Sequence, residues 1–518
     1  MRNNRLRRFL AGLGIGYVHT IATIVVGLWL TPFLLRNLGT HDYGLWLLGG
    51  QVLVYLALLD LGVVALVPRE IAGAVGTADD VHGKQRRLIG ETVRLIVWQM
   101  PLVVLAGAIA VILLPAEWAA LRWPLCIVVV TFVVTFPCRL FGAILQGLQD
   151  LAFLGASQVA AWIAGTAVVV IATAMNAGLY SLAWGWVGTQ MVGAIMNWSR
   201  LRATFPEVVP RSIPSLGAAT VARHLKRSGW ISVSQLAQVL LAGTDLIVVG
   251  KLLGPEAVVP YACTAKLPAL LANQPQMFMQ MALPALSELR TTSSREHLFN
   301  VARSMAQVML LLSGGIVTVV LAVNASFVSW WVGEMSFGGV GLTSLILLTM
   351  LVRHANATLN YTLFCFGYER RIALTTASDG LLGLALMVPL VSAFGLHGAV
   401  IGSLASVCLV SLPANLLALA REEGRSPFAF FRVLGPWSIR FVPIVGAVSL
   451  LPFVWTSRGP WSFAPLALGV GILYAIVMLP AAQAPPLGPM LMTRLRPWIS
   501  RVPQLKRHLA KPLDAPAR

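Results

Sequence analysis

Residues Lys84–Trp118, KQRRLIGETVRLIVWQMPLVVLAGAIAVILLPAEW, pass from a basic cluster through about 26 largely apolar residues to an acid and a tryptophan. About 20 apolar residues in a helix cross the roughly 30 Å of bilayer hydrocarbon, so the segment predicts a membrane span. Its basic end marks the cytoplasmic side and its tryptophan the opposite interface.

The pattern recurs along all 518 residues. Spans are expected near 11–35, 43–67, 89–114, 124–147, 151–174, 178–198, 229–250, 257–285, 301–323, 340–366, 372–394, 397–419, 437–456 and 461–482, fourteen in total. Of the 38 Lys and Arg, 29 fall in the amino tail, the even-numbered loops, with Arg303 at the border of one, and the carboxyl tail. Arg36, Arg122, Lys251 and Arg458 stand in odd-numbered loops, and five more lie inside apolar stretches. This asymmetry puts both termini in the cytoplasm. Trp118, Trp123, Trp330, Trp331, Trp455 and Trp461 gather at the outer ends, as interfacial aromatic residues do.

Composition excludes a soluble fold: 57% of residues are hydrophobic, 11% are charged, and the mean hydropathy is +0.79. The net charge of +19 is spread over short loops beside spans, which fits anionic lipid headgroups rather than nucleic acid. Cys126, Cys138, Cys263, Cys365 and Cys408 all lie in apolar stretches without metal or redox spacing, and read as small hydrophobic residues. The amino terminus is basic and then apolar for about 25 residues, longer than a signal-peptide core, so it is expected to stay attached as the first span.

An internal repeat organises these spans. RNLGTHDYG (Arg36–Gly44) is echoed by GKLLGPEAVVPY (Gly250–Tyr261), and Gly39 and Gly254 are 215 residues apart with six spans between them. An even number of spans preserves orientation, so the halves are expected to be parallel repeats. The resulting division is a six-helix lobe at 1–198, a basic cytoplasmic linker at 199–228, a second six-helix lobe at 229–420, two added helices at 421–483 and a basic tail at 484–518.

Polar residues inside the spans follow the same repeat. Thr135, Arg139, Gly142 and Gln146 fall at steps of four, three and four, one face of a continuous helix, and Thr349, Arg353, Asn356 and Asn360 repeat that spacing. Likewise His19 and Thr23 match Ser234 and Gln238, with Asp245 extending that face. A charged side chain at mid-bilayer costs on the order of 3 kcal/mol or more, so these stripes should face a wet cleft or another helix.

The candidate substrate-binding residues are Arg139, Arg353, Gln146, Asn356, Asn360, Lys266 and Gln276. Two arginines suit a diphosphate, because guanidinium offers paired donors and stays charged. A contact between helices, or a cap on a neighbouring Asp, competes with that role. Lys266 with Asn273, Gln276 and Gln280 offers donors for sugar hydroxyls, or hydrogen bonds between helices. Asp245, Asp60 and His19 are the candidates for proton or sodium coupling, with Asp379 behind them, and structural pairing is the competing role. Glu91 and Arg94, one turn apart, are expected to pair locally. No triad, metal cluster or nucleotide loop stands on a soluble portion, so neither a catalytic residue nor a cofactor is expected, and transport is favoured over catalysis.

LTPFLLRNLGTHDYGLW (Leu30–Trp46), LLDLGVVALVPREIA (Leu58–Ala72), LQGLQD (Leu145–Asp150), TDLIVVGKLLGPEAV (Thr244–Val258) and LPALSEL (Leu283–Leu289) together resemble the polysaccharide flippase family, the Wzx-type transporters of lipid-linked oligosaccharides. That family lies within the superfamily that includes multidrug and toxic-compound extruders. The resemblance implies an all-α integral membrane fold of fourteen helices and alternating access between two lobes. It further implies movement of undecaprenyl-diphosphate-linked glycans from the cytoplasmic to the periplasmic leaflet of the bacterial inner membrane. Surface polysaccharide such as O-antigen, lipopolysaccharide or exopolysaccharide is the implied product, and polymerase and chain-length machinery are the implied partners.

The alternatives are an ion-coupled extruder and a membrane-embedded glycosyltransferase or ligase. An extruder of organic cations calls for an acidic cleft, whereas this chain embeds Arg94, Arg139, Lys266, Arg353 and Arg440 against Asp60, Glu91, Asp245 and Asp379. A ligase calls for a large polar outer loop, and the outer loops are short. The topology is open to direct test by cysteine labelling in intact cells. Cysteines introduced near Thr40, Gly254 and Gly338 are expected to label from the periplasm, and those near Gly83, Ser215 and Ser426 only after permeabilisation. Labelling of position 215 from outside would reverse the assignment and the parallel repeat with it.

Overall fold

The computed structural model describes residues 2–74, 80–210, 213–214, 229, 232–241, 243–292, 295–424, 426, 434–455 and 459–489. Most of the expected linker at 199–228 and all of the tail after 489 lie outside the described residues.

The protein is an all-α, multi-pass membrane fold, and no strand occurs among the described residues. Apolar segments become helices because only a helix satisfies its own backbone in hydrocarbon. The first half contains α1 (Arg2–Ala57), α2 (Val63–Ala74), α3 (Val81–Ile112), α4 (Arg122–Thr135), α5 (Arg139–Gly147), α6 (Leu151–Ala174) and α7 (Leu179–Thr204). Then come α8 (Ser232–Leu241), α9 (Thr244–Leu253), α10 (Pro255–Thr292), α11 (Arg295–Val332), α12 (Val340–Cys365) and α13 (Glu369–Phe394). The remainder is α14 (Leu396–Ser406), α15 (Leu412–Glu423), α16 (Gly435–Ser449), α17 (Leu451–Val454) and α18 (Pro460–Gln483).

Ten helices among the described residues are long and apolar enough to cross a membrane, and the bent pair α8 and α9 makes an eleventh. The expected fourteen are not reached by that criterion, for two physical reasons. The segment Ala22–Asp60 counts once although its 39 residues would rise about 58 Å as a straight helix, close to twice the hydrocarbon thickness. Helices α7 and α10 form, but polar residues such as Gln190, Asn197, Asn273 and Gln276 dilute their apolar character.

The two similar strings at 36–44 and 250–261 share a backbone corner. Gly39 divides α1 at φ 81°, ψ 169°, and Gly254 separates α9 from α10 at φ 91°, ψ 161°. That region is essentially closed to residues with a Cβ. The two corners also touch: a Cβ on Gly44 would sit 2.1 Å from the Pro255 carbonyl oxygen, and His41 Nδ1 lies 3.4 Å from Glu256 Oε1. Close approach explains the glycines where α6 meets α7 as well, since a Cβ on Gly165 would lie 1.8 Å from Thr189 Oγ1 and 2.7 Å from the Gly185 carbonyl oxygen.

Packing divides the chain into two compact units: residues 1–265 with 328–342 and 373–406, and residues 266–327 with 343–372 and 407–518. The lobes expected from the repeat follow chain order, and these units do not. Within the second unit the added helices α16 and α18 join a core around Val320, Leu321, Leu347 and Met350. Trp437 stacks on Phe441 at 4.2 Å, and Tyr474 donates to the Leu311 carbonyl at 2.8 Å.

One expected ion pair is corrected. Glu91 pairs with Arg87, one full turn earlier at 3.0 Å, while Arg94 donates to the Pro214 carbonyl at 3.4 Å. The i, i+4 spacing brings Arg87 over Glu91, so Arg94 is left to the neighbouring backbone. For the repeated corners, Gly39→Ala and Gly254→Ala are each expected to lower stability by about 1 to 3 kcal/mol. Thermal unfolding in detergent measures this, and wild-type stability in both variants would contradict the strained corner.

Candidate functional site

The sequence LLDLG interrupts what would otherwise be one span. Helix α1 stops at Ala57, a 3₁₀ turn covers Leu58–Asp60, Leu61 and Gly62 take φ of 49° and 70°, and α2 begins at Val63. Such a break frees backbone groups that hydrocarbon cannot satisfy. Side chains supply the missing partners. Arg139 Nη1 donates to the Ala57 carbonyl at 3.3 Å, and Gln99 Nε2 donates to the Asp60 carbonyl at 3.1 Å. The Asp60 carboxylate accepts from the Gly62 amide at 2.9 Å through Oδ1, and Oδ2 lies 3.3 Å from Arg139 Nη2. Asp60 is 2% exposed, so its charge is held by that guanidinium.

Arg139 reaches this position because its own span is broken. Pro137 offers no amide hydrogen, and the chain tightens there, with Cys138 N donating to the Thr135 carbonyl at 2.9 Å and Arg139 N to that of Phe136 at 3.3 Å. The guanidinium then lies over the Phe136 ring, 5.6 Å from its centroid. The stripe expected on one continuous helix is therefore split between α4 and α5.

Beside this ion pair, inside the first unit, is a cavity of about 380 Å³. Thr135, Cys138, Arg139 and Gly142 form one wall. Helix α6 contributes Ser157, Gln158 and Trp162, and α7 contributes Thr189, Gln190 and Asn197. Ser157 donates to Asn197 Oδ1 at 2.9 Å, which leaves the Asn197 Nδ2 group facing Gly142. The amides of Gln158 and Gln190 have no hydrogen-bond partner among the described residues. Among the described residues of the lining Arg139 is the one that is charged, and its side chain commits only Nη1 and Nη2 of the donors a guanidinium carries.

The other expected residues are placed as follows. Gln146 is exposed on α5 and is not part of the cavity lining. Arg353 is half-buried on α12 in the second unit, where Asn356 and Asn360 both accept from Asn415 Nδ2 at 2.8 Å. Lys266 and Gln276 are half-buried on α10. Asp245 accepts from the Tyr261 hydroxyl at 2.7 Å in the first turn of α9, where the helix dipole favours a carboxylate. A bend of 44° between α8 and α9 separates it from Ser234 and Gln238, so the expected shared face is not continuous. The side chains of His19 and Gln280 lie outside the described residues. Asp379 is buried and accepts from Ser406 Oγ at 2.6 Å.

Residue-by-residue periodicity missed Gln99, Ser157, Gln158, Gln190 and Asn197. The Asp-Leu-Gly at 60–62 and the proline at 137 were the available signals of broken spans.

The sequence profile of the polysaccharide biosynthesis protein family matches residues 9–290. The chain belongs to that family. Among curated proteins, no sequence matches this member significantly. Several solved structures share its fold. A lipid II flippase, MurJ, in an inward closed conformation aligns with a TM-score of 0.66 and 12% identity over 93% of this chain and 99% of its own. An inward-facing multidrug resistance transporter of the MATE family, from the MOP superfamily, aligns with a TM-score of 0.59 and 12% identity, over 80% of this chain and 99% of its own. An outward-facing transporter of that family aligns at 0.51 and 12% identity, covering 80% and 96%.

The ion pair makes a stability prediction for this polysaccharide biosynthesis protein. Arg139→Ala leaves a buried carboxylate and two freed acceptors, and is expected to cost about 3 to 5 kcal/mol. The double variant Asp60→Asn with Arg139→Gln should cost less, because no charge is stranded. Unfolding of purified protein in detergent compares them. An equal cost would mean that the pair carries no coupling.

Proposed function

We propose that the protein is a flippase that moves a polyprenyl-diphosphate-linked oligosaccharide from the cytoplasmic to the periplasmic leaflet of the bacterial inner membrane, by alternating access, for surface polysaccharide assembly. The observation that carries this reading is the family match across residues 9–290, and the fold likeness to a lipid II flippase over 93% of the chain supports it. The cavity adds chemical support. A diphosphate oxygen could take the donors that Arg139 does not spend on Asp60 and Ala57, and Arg353 is proposed as a further anion-binding side chain. Amide and hydroxyl groups suit glycan hydroxyls.

An extruder of the MATE type is the second reading, favoured by the 0.59 fold match. Among the described residues the lining carries an arginine and no carboxylate, which argues against an organic cation as its cargo. Proton or sodium coupling through Asp245 belongs to the same proposal, because a carboxylate embedded at a helix start can bind a cation in one state and lose it in another.

The test is reconstitution of the full chain in liposomes with a fluorescent undecaprenyl-diphosphate-linked oligosaccharide. Flipping well above that of protein-free liposomes is expected. Arg139→Lys and Arg353→Ala should each slow it, because a point charge cannot reproduce the planar fork and alanine removes it. Asp245→Asn should blunt the response to an imposed pH or sodium gradient while substrate binding persists. A rate no higher than in protein-free liposomes would refute the flippase reading.

A further inference from the structure

Resting on that flippase reading, we propose that the cavity between α4–α5, α6 and α7 seats the first, diphosphate-linked sugar of the transported lipid, and that this sugar is uncharged. Its volume of about 380 Å³ falls in the roughly 300 to 1,000 Å³ range of small-molecule sites. Polar groups on membrane-spanning helices need a reason, because an amide with no partner in hydrocarbon costs free energy. Here Gln190, half-buried, and Gln158, exposed on the cavity side of α6, lack partners among the described residues, and Asn197 turns an amide nitrogen to the open side of Gly142. Each amide offers both donors and an acceptor, which matches the hydroxyls of a sugar ring and the carbonyl of an acetamido group. Trp162, half-buried on the same wall, adds an apolar flank of the kind that faces a pyranose ring.

Charge decides which sugar. Among the described residues the lining carries no acid, and its one cation, Arg139, is already balanced by Asp60 at 3.3 Å. A uronic acid entering here would bring a carboxylate to a wall whose remaining groups are neutral, and a free amino sugar would meet no counter-charge. Either would lose hydration that the amides cannot replace in full. Arg139 stands at the cavity wall itself, so a diphosphate on its spare donors leaves only the adjoining ring to enter between Gln158, Gln190 and Asn197.

Space around the glycines allows the cavity to be filled. A Cβ at Gly193 would meet only the Ala161 Cβ, at 3.6 Å, and one at Gly142 would be 3.7 Å from its nearest neighbours. The variants are Gly193→Leu, which fills the cavity, and Gln158→Leu with Gln190→Leu, which removes the amides at similar size and guards against misfolding of the first. Binding to full-length protein in nanodiscs is measured for three probes: undecaprenyl diphosphate bare, carrying one N-acetylglucosamine, and carrying one galacturonic acid. Wild type should bind the N-acetylglucosamine lipid most tightly. Both variants should lose about tenfold of that affinity, the worth of roughly one good hydrogen bond, and keep their affinity for the bare lipid. Unchanged preference for the neutral sugar in both variants overturns the subsite and leaves the flippase reading intact. Tighter binding of the galacturonic acid probe overturns the charge argument. Failure of wild type to bind any of the three counts against the flippase reading itself.

Discussion

Hydrocarbon offers no hydrogen bond, so each place where a span of this protein stops being helical must find partners from its own side chains. The interruption at Leu58–Gly62 makes that demand within an expected span. It is met by Arg139 on the Ala57 carbonyl, Gln99 on the Asp60 carbonyl, and the Asp60 carboxylate on the Gly62 amide. Two helices, α3 and α5, are thereby tied to one turn. The ion pair is then a consequence of the backbone: Asp60 caps the turn, and its charge in turn requires the guanidinium.

The second break, at Pro137, is what lets Arg139 answer. A continuous helix through 124–147 would carry Thr135, Arg139, Gly142 and Gln146 along one stripe, but the tightened turn at 136–139 starts α5 afresh. Thr135, Arg139 and Gly142 remain on the cavity, and Gln146 is left exposed. In the second unit α12 runs unbroken through the corresponding residues. Asn356 and Asn360 there are joined by Asn415, a use of amides that holds helices together. The two repeats thus share their corner glycines while their polar stripes have separate local arrangements.

This contrast shows what the sequence could reveal. Spans were legible because their length and hydropathy answer to a solvent of fixed thickness, and the glycines at 39 and 254 because their backbone conformation excludes other residues. The breaks at 58–62 and 136–139 were hidden, since hydropathy averages over them and neither Asp-Leu-Gly nor a single proline shifts that average much. Arg139 and Asp60 were visible as embedded charges but assigned to separate roles, and only their packing places them on each other. The amides of α6 and α7 were passed over because their spans had no charged residue to attract notice until Arg200.

On the flippase reading, pairing Arg139 with Asp60 also bears on release. An unpaired guanidinium and a diphosphate charge about 4 Å apart would attract by roughly 4 kcal/mol per charge pair at an effective dielectric constant of 20, and more where the surroundings are drier. A carrier holding its cargo that tightly would surrender it slowly on the far side, since affinity differences between related complexes reside mostly in the rate of leaving. Asp60 offsets part of that attraction while leaving donors on the same guanidinium unspent. Recognition then shifts from net charge to directed hydrogen bonds, which depend on geometry and weaken as soon as a helix moves. A site that must be strong in one conformation and weak in the next is better built from such bonds than from an exposed charge, and the balanced pair beside a cavity of amides has that character.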